Sequence, residues 1–256
     1  AILTTDTFAK GSFTTTTIGG SEVKIAGIAK GSGMIQPDMA TMLAFIVTDA
    51  ALPAPILQTL VEAANEEAFR KITVDSDTST SDMLLVFATG QAVHPAPMDA
   101  DSGLLSAFRN ALLDVARDLA QQIVRDGEGI SKFIQISVEG AVSDESARII
   151  ALSVANSPLV KTAIAGEDAN WGRIAAAIGK ADQQIDVSRL GIGIGNWIVA
   201  QNGARVPNLD ETPINEHLKG REIDIVISVG PGPGSATVWT SDLTHEYINI
   251  NADYRS

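Results

Sequence analysis

Cysteine is absent from the 256-residue chain. Disulfides, thiolate nucleophiles and cysteine-ligated metal sites are therefore excluded, because each of them requires a thiol. Histidine is scarce as well: His94, His217 and His245 stand apart, without a second histidine at helical or hairpin spacing. Neither a metal site nor a Ser-His-Asp triad is indicated, and each histidine is expected to be a surface or capping residue. Hydroxyls, carboxylates and amines remain as the available chemistry.

Long apolar runs and clusters of basic residues are also missing. The longest apolar runs, such as 83–88 and 223–229, are far shorter than the roughly 20 residues that cross a bilayer. The formal net charge of −13 opposes non-specific binding to nucleic acid, which requires a basic face. Because 45% of the residues are hydrophobic, the chain can bury a large core. We expect a soluble globular protein with small-molecule ligands and no nucleic-acid or membrane partner.

Two periodicities alternate along the chain and predict a mixture of helices and strands. Apolar residues recur near the 3.6-residue period over 53–70 and 102–125, which indicates two amphipathic helices. Shorter helices are predicted over 144–154 and 171–178. Strands are predicted at 42–47, 83–88, 134–138, 192–194, 197–201, 223–229 and 236–240. Residues 1–40 are expected to form short strands and loops, and the mixture favours an α/β or α+β layered architecture.

Two glycine repeats and one acidic loop resemble ligand motifs only superficially. The repeats 191–195 and 230–234 lack both the G-x-G-x-x-G spacing before a helix and the lysine of a phosphate loop, so turns or bulges are predicted there. The loop 75–82 alternates oxygen-bearing side chains but lacks the glycine and glutamate of an EF-hand. A solvated loop or the rim of an active site is the better interpretation.

One threonine stands out in the stretch PDMATMLAF (37–45), where Thr41 directly precedes a predicted buried strand. A glycine-rich turn, 31–33, lies upstream, and the small residue Ala40 comes directly before it. A threonine so placed can attack the carbonyl upstream of it and free its own α-amine. That amine titrates near pH ~8 and can act as the base for the hydroxyl of the same residue. The alternative is an ordinary strand threonine, because threonine is common in strands.

Six segments, in order along the chain, resemble motifs of the ornithine acetyltransferase family, also called bifunctional glutamate N-acetyltransferase. Residues 30–45 resemble the family's self-cleavage and nucleophile motif. The other five segments are 1–7, 73–78, 126–129, 166–173 and 250–256. The resemblance implies an α/β (mixed α+β) fold, a layered sandwich of sheets and helices of the DmpA/ArgJ-like type with N-terminal-nucleophile-like character.

The resemblance also implies how the chain is divided and what it does. Residues 1–40 would be the C-terminal end of an α chain, 41–130 the nucleophile-bearing domain of a β chain, and 131–256 its C-terminal α/β domain. The precursor would cleave itself between Ala40 and Thr41, and the chains would stay associated as an (αβ)2 heterotetramer in the cytoplasm. Thr41 would take the acetyl group from N-acetylornithine as an ester, release ornithine, and pass the acetyl group to glutamate, giving N-acetylglutamate for arginine biosynthesis. No cofactor is implied, although some members accept acetyl-CoA as a co-substrate.

The family's substrate-binding positions fall on six residues of this chain: Thr4, Lys30, Thr41, Glu128, Asn251 and Ser256. Lys30 suits a carboxylate ligand, and Glu128 suits an ammonium group or the handling of a proton. Family members commonly end in threonine, and Ser256 retains a hydroxyl at that place. Without the resemblance, Lys30 and Glu128 would be interpreted as solvated surface charges and Asn251 as a turn residue.

One part of the family's site has no counterpart in the sequence. The oxyanion hole of the family comes from a Thr-Gly pair upstream of the Thr-Thr-Asp block at residues 4–6, and the sequence starts at that block with Ala1. A processed or truncated product is therefore expected. Oxyanion donors typically contribute a factor of about 100 to 1000 in rate.

Two alternatives remain open at this point. A related self-processing hydrolase or aminopeptidase would use the same nucleophile but let water resolve the acyl-enzyme. A small-molecule-binding or regulatory domain would use Thr41 only structurally and would never carry a covalent acetyl group.

Overall fold

The structure is a computed structural model that describes residues 2–36, 42–78 and 82–253. The chain separates into two compact units, Ala1–Asp126 and Gly127–Ser256, each built on one sheet with helices packed against it. This arrangement confirms the predicted mixed α+β class. Within the described ranges, no helix combines the length and the apolar character that crossing a membrane requires.

The described residues of the first unit form a four-stranded sheet with two α-helices. Its elements are β1 (Lys10–Ile18), β2 (Ser21–Lys30), β3 (Leu43–Thr48), α1 (Ala54–Glu67), β4 (Met83–Ala88) and α2 (Ser106–Arg125), with short 3₁₀ turns at Phe69–Lys71 and Gly103–Leu105. The strands are adjacent in the order β1-β2-β3-β4. The pairs β1/β2 and β2/β3 are antiparallel, whereas β3 and β4 are parallel because the α1 crossover connects them. The strands on either side of position 40, β2 and β3, therefore belong to one sheet.

Helix α2 covers one face of this sheet. The helix buries the apolar stripe that its periodicity predicts, including Leu112, Val115 and Leu119, and it packs on β1 and β2. The close approach depends on Gly27 in β2, because a Cβ at that position would lie 2.7 Å from Leu119 Cδ1. The sequence pattern of the helix and the glycine of the strand thus together determine the packing distance.

The other face of the same sheet is exposed and carries a group of large apolar side chains. Six large apolar side chains from all four strands define this open face: Phe13, Ile28, Val47, Met83, Leu85 and Phe87. Their exposed fractions lie between 38% and 65%. The strand predicted to be buried at 42–47 is therefore buried on one face only, since Ala44 and Ile46 point to the helix side while Val47 does not.

The second unit is a six-stranded sheet with five helices among its described residues. Its elements are β5 (Phe133–Ala141), α3 (Asp144–Ala155), α4 (Pro158–Ala165), α5 (Trp171–Gly179), β6 (Gly191–Ile194), β7 (Trp197–Gln201), β8 (Ala204–Arg205), α6 (Thr212–Leu218), β9 (Glu222–Ser228), β10 (Gly234–Ser241) and α7 (His245–Asp253), with a 3₁₀ turn at Val187–Arg189. The strand order is β10-β5-β9-β6-β7-β8. Only β5 and β9 pair in parallel among these strands. Helix α3 packs on β5 and β10 over a core that includes Ile136, Val138 and Ile150.

Several predictions of elements are confirmed and others need correction. Helices α1, α2, α3 and α5 lie where the periodicity placed them, whereas α4, α6 and α7 were not predicted. These three span eight, seven and nine residues, and α7 has no buried residue that would reveal a stripe. Strands β1 and β2 have nine and ten residues, longer than the short strands expected. The glycine repeat at 191–195, predicted as a turn or bulge, forms β6 (Gly191–Ile194) with a register shift between Ile192 and Gly193, and Gly195 begins the turn that follows.

The close approach of Gly140 to Gly230 gives a first testable prediction. Gly140 has a φ of +76°, and a Cβ there would lie 2.0 Å from the carbonyl oxygen of Gly230. We expect Gly140→Ala to lower the free energy of unfolding by about 3 kcal/mol or more, since a left-handed alanine costs ~1–2 kcal/mol and the overlap between backbone atoms adds to it. Urea unfolding measures this loss.

Gly90 provides the matched control. It has a φ of +69°, but a Cβ there would meet no atom within 4 Å. Gly90→Ala should therefore cost only the conformational part, about 1–2 kcal/mol. Equal losses for the two variants would show that the overlap at Gly140 is relieved by movement of the chain.

Candidate active site

The structure describes four of the six predicted substrate-binding residues. Thr4 and Lys30 belong to the first unit, and Glu128 and Asn251 belong to the second. The remaining predicted site residues, which are Thr41 with its cleavage partner Ala40, and Ser256, lie outside the described residues. Their roles stay predictions.

Glu128 and Asn251 are in direct contact although they are far apart in the sequence. Asn251 Nδ2 donates a hydrogen bond to Glu128 Oε2 at 2.7 Å, and it also donates to the carbonyl of Tyr247, one helical turn earlier, at 3.0 Å. Asn251 lies on α7, so its interpretation as a turn residue is wrong. Glu128 is half-buried and not a freely solvated charge. Two positions taken from separate motifs therefore form one polar pair.

Gly129 allows α7 to approach Glu128 this closely. Its φ is +66°, and a Cβ at this position would lie 2.4 Å from the amide nitrogen of Tyr247. The hydroxyl of Thr244 donates to the carbonyl of Gly129 at 2.5 Å and so holds the start of α7 against the same turn. The glycine after Glu128 is required by the contact with the helix, which explains the D-G-E-G spacing in physical terms.

Asp242 fixes the segment that follows this turn. Its carboxylate accepts hydrogen bonds from the amides of Ser131 and Lys132 at 2.8 and 2.9 Å and from the Ser131 hydroxyl at 2.5 Å. Asp242 is only 2% exposed, and it lies three residues before α7. The chain on both sides of the Glu128–Asn251 contact is therefore held by buried hydrogen bonds.

A buried ion cluster organises the predicted site residues of the first unit. Lys10 Nζ lies 2.6 Å from Asp6 Oδ1 and 2.5 Å from Asp126 Oδ2, and the three side chains are at most 2% exposed. We call these three residues the Lys10 cluster. Asp6 also accepts hydrogen bonds from the amides of Gly31 at 2.8 Å and Thr4 at 3.2 Å. The cluster thus contacts the backbone of Thr4 and of the residue that follows Lys30.

The charge state of Asp6 follows from these contacts. Burial opposes its ionisation, but the hydrogen bonds from Gly31, Lys10 and Thr4, together with the charge of Lys10, outweigh burial and hold the pKa of Asp6 below its ordinary value. The carboxylate is therefore charged at neutral pH and stabilises the cluster there.

Asp126 joins a third segment to the cluster. It accepts from the amide of Thr7 at 3.0 and 3.1 Å and from the Thr7 hydroxyl, and its own carbonyl accepts from Ser32 Oγ at 2.5 Å. Asp126 is also the residue that caps the C-terminal end of α2. Three of the motifs recognised in the sequence, at residues 4–7, 30–32 and 126, therefore converge on Lys10.

A second charged pair lies at the end of the sheet where β3 and β4 begin. Lys30, the last residue of β2, is 7% exposed and lies opposite Leu43 in the strand register. Asp82, directly before β4, accepts a hydrogen bond from the amide of Met42 through Oδ1. Burial raises the pKa of Asp82 to about 6, although the charge of Lys30 opposes the rise. Lys30 is thus a largely buried charge beside a carboxyl, and the interpretation as a solvated surface charge is wrong.

Sequence reasoning did not single out Lys10, Asp126 or Asp82 as site residues. Lys10 lies in an ordinary polar strand, and only the fold brings its ammonium group to two carboxylates. Asp82 lies in the loop 75–82, which is interpreted from the sequence as a solvated loop or the rim of an active site. The second of these interpretations was the signal that could have pointed to Asp82. No group of three or more His, Asp or Glu side chains within the described ranges is arranged to hold a metal ion.

The Lys10 cluster gives a prediction about stability. Lys10→Met keeps most of the side-chain volume but leaves two buried carboxylates without their cation, so we expect a loss of about 3–5 kcal/mol in unfolding free energy at pH 7. The pKa of Asp6 is held low in the folded protein, so the contribution of the ion cluster is present above pH 3.8 and is lost as the pH falls below it. The difference between the variant and the wild type should therefore shrink on acidification, as measured by urea unfolding at several pH values.

Lys71 serves as the control, because among the described residues it forms a single ion pair, at 2.6 Å, with Glu67 at the end of α1, and the side chain of Glu67 is half exposed. Lys71→Met should change the unfolding free energy by less than about 1 kcal/mol. If Lys10→Met costs no more than Lys71→Met, the cluster does not hold the first unit together.

Comparison with known proteins identifies a family for the chain. A family model described as the ArgJ family matches residues 1–256. Proteins named arginine biosynthesis bifunctional protein ArgJ from Zymomonas mobilis subsp. mobilis and from Gluconobacter oxydans are 59% and 54% identical over 256 residues. All of this chain is covered in both, but only 63% and 60% of the relatives, so the chain spans less than two thirds of their length.

A solved structure points the same way. The crystal structure of arginine biosynthesis bifunctional protein argJ from Bacillus halodurans matches with a TM-score of 0.80 and 39% sequence identity. The match covers 84% of this chain and 100% of that chain. The fold, the order of the motifs and the similarity over the whole length lead to one conclusion: this chain belongs to the ArgJ family.

Proposed function

We propose that the whole protein containing this chain is a glutamate N-acetyltransferase that moves an acetyl group from N-acetylornithine to glutamate, in arginine biosynthesis in the cytoplasm. The observation that carries the proposal is the hydrogen bond between Asn251 and Glu128. Two residues assigned to substrate binding from separate motifs meet at 2.7 Å, where a carboxylate oriented by an amide suits the ammonium group of an amino acid. Membership of the ArgJ family supports the same activity.

In the proposed reaction, Thr41 is both nucleophile and base. Its hydroxyl oxygen attacks the acetyl carbonyl of N-acetylornithine, and its α-amine takes the hydroxyl proton. That proton passes to the leaving nitrogen as the C–N bond breaks, so ornithine departs as an amine and acetyl-threonine remains. The neutral amine of glutamate then attacks the ester carbonyl and the ester C–O bond breaks. The proton lost by the glutamate nitrogen passes through the Thr41 α-amine to the threonine oxygen, so N-acetylglutamate leaves and Thr41 is restored. Acetyl-CoA could replace N-acetylornithine as the acetyl donor in the first half of the reaction.

The described residues have matching roles in this scheme. In the first unit, Lys30 would offer its ammonium to a substrate carboxylate. In the second unit, Glu128 would receive an ammonium group, and Asn251 holds the carboxylate of Glu128 in place. Thr4 and Ser256 would supply hydroxyl groups to the substrate. The backbone of Thr4 is held by Asp6.

Two observations support cleavage between Ala40 and Thr41 into chains that stay together. Residues 41–256 make up 84% of this chain. The Bacillus halodurans chain, matched over its full length, also covers 84% of this chain. A homologous chain that starts at the threonine would give this coverage. After such a cut, the β2/β3 ladder from Ile25–Thr48 to Lys30–Leu43 would still join the two pieces.

The ion cluster would add to this association, because Lys10 and Asp6 lie before the cut and Asp126 lies after it. Helix α2, which follows the cut, also packs on β1 and β2, which precede it. The resulting αβ unit would pair into the (αβ)2 heterotetramer that the resemblance implies.

The nucleophile is tested on the full-length protein by intact mass and N-terminal sequencing, before and after incubation with N-acetylornithine. The wild type should consist of two chains, the second beginning at Thr41 and gaining the mass of one acetyl group. Thr41→Ala should give one uncut, unacetylated chain, whereas Thr41→Ser keeps a hydroxyl and should still be cut. An uncut and unacetylated wild type would instead favour the alternative that the chain is a small-molecule-binding or regulatory domain in which Thr41 is only structural.

The same reaction separates transferase from hydrolase. With isotope-labelled N-acetylornithine and excess glutamate, the label should appear in N-acetylglutamate. Release of the label mainly as free acetate would identify water as the acceptor and support the hydrolase alternative.

Glu128→Gln tests the carboxylate of the polar pair. The variant keeps an oxygen for Asn251 but removes the charge, and a hydrogen bond to a charged group is worth about 1.5–3 kcal/mol. We therefore expect kcat/KM for N-acetylornithine to fall by at least roughly tenfold. Steady-state kinetics of the full-length protein measure this fall in kcat/KM.

Glu246→Gln is the control, since Glu246 on α7 also accepts from an asparagine amide, that of Asn249 at 3.0 Å. Its kinetics should match those of the wild type. Unchanged kcat/KM in Glu128→Gln would remove Glu128 from substrate binding.

A further inference from the structure

We propose that Asp82 is a positioning residue for the acyl-transfer site, because its carboxylate holds the amide of Met42, the residue bonded to Thr41. The inference rests on the proposed function and adds a residue to that same site. The family resemblance assigned no role to Asp82.

The geometry fixes Met42 from both sides. Asp82 Oδ1 accepts the Met42 amide hydrogen, and the amide of Met83 donates to the Met42 carbonyl at 2.9 Å. Both partners come from consecutive residues at the start of β4, which pairs in parallel with β3 from Leu43 and Met83 onward. The Met42 side chain is 3% exposed. The residue after the nucleophile is thereby anchored to a rigid strand pair, and a reacting group must be held within about 0.5 Å of its productive geometry.

The second oxygen of Asp82 has an unusual environment. Oδ2 is buried and has no hydrogen-bond partner among the described residues. A buried carboxylate oxygen without a partner is costly, and native proteins contain few such atoms. In the proposed reaction, positive charge develops on the Thr41 amine, one residue from the amide that Asp82 holds. A negative charge at this place would stabilise that ammonium as it forms.

The charged surroundings of Asp82 determine the expected pH dependence. Met42, directly before β3, and Met83 on β4 carry no charge, but the hydrogen bond from the Met42 amide and the charge of Lys30 at the end of β2 both favour the ionised form of the carboxyl. Burial outweighs these effects and raises the pKa to about 6. The carboxyl is therefore mostly ionised at pH 8 and mostly protonated at pH 5, so its stabilising charge disappears as the pH falls through about 6.

Asp82→Asn separates the charge from the hydrogen bond, because asparagine retains an oxygen that can accept from Met42. The experiment measures kcat and KM for acetyl transfer between pH 5 and 9 in the full-length protein, with intact mass to record cleavage. We expect the wild-type kcat to decline below about pH 8 as the Thr41 amine is protonated, and to fall more steeply below about pH 6, following the carboxyl. In Asp82→Asn we expect a kcat that is about 10–100-fold lower at pH 8, a KM within about twofold, and no such fall near pH 6.

Asp49→Asn is the matched control. Asp49 is also half-buried and accepts a backbone amide hydrogen, that of Lys24 at 2.7 Å, but it lies beyond the opposite end of β3. Its kinetics and pH profile should match those of the wild type.

Thermal unfolding distinguishes positioning from a purely structural role. Because removal of an unpartnered buried charge relieves its desolvation, Asp82→Asn should melt at a higher temperature than the wild type at pH 8, and the gap should narrow toward pH 5. A more stable variant with lower kcat, or one that fails to cleave itself, supports the proposal.

Three outcomes would overturn it. If the kcat of Asp82→Asn equals that of the wild type and still falls near pH 6, Asp82 is not part of the site. The proposed function would remain intact. A lower melting temperature with the pH profile unchanged would make Asp82 a strand cap only. A wild type that transfers no acetyl group would reject the proposed function and this inference with it.

Discussion

The first unit depends on one buried cation. Lys10 is buried between Asp6 and Asp126. Through these two carboxylates it fixes the backbone of Thr4, of Thr7 and of the turn after Lys30. Hydrophobic packing of α2 alone could not specify these positions, because apolar contacts are non-directional. Ionic hydrogen bonds are directional, and here they connect segments more than a hundred residues apart in the sequence. The cost of burying three charges is offset only while all three are present.

The second unit achieves close positioning by another means, the absence of side chains. At Gly129 and Gly140 the backbone adopts a left-handed conformation, and a neighbouring backbone occupies the space that a Cβ would fill. The first of these contacts brings α7 to Glu128 and so lets Asn251 reach its carboxylate. Ion pairing in the first unit and close backbone contact in the second thus each hold predicted substrate-binding residues in place, Thr4 and Lys30 in one and Glu128 and Asn251 in the other.

Periodicity made much of this fold predictable, but not all of it. Helix α2 was predictable because twenty residues repeat an apolar stripe, whereas α7 has no buried residue and therefore leaves no stripe to detect. Motif resemblance marked Glu128 and Asn251, but only the fold shows that they touch. Nothing in the local sequence around Lys10 reveals burial, since lysine in a polar strand is ordinarily solvated. Asp82 was likewise hidden, because its unusual carboxyl results from burial and from Lys30 on another strand. Local patterns report local structure, and long-range electrostatics require the folded chain.

The open face of the first sheet has a consequence for handling this chain in solution. Side chains such as Phe13, Ile28 and Phe87 form a contiguous apolar surface of the kind that is rare on soluble monomers. The formal charge of −13 keeps copies of the chain apart at low ionic strength, but a Debye length of only ~8 Å at physiological salt shortens the range of that repulsion. Added salt is therefore expected to favour association of neighbouring molecules through their open faces. The solubility of the chain then depends on the balance between repulsion of its acidic surface and attraction between open faces.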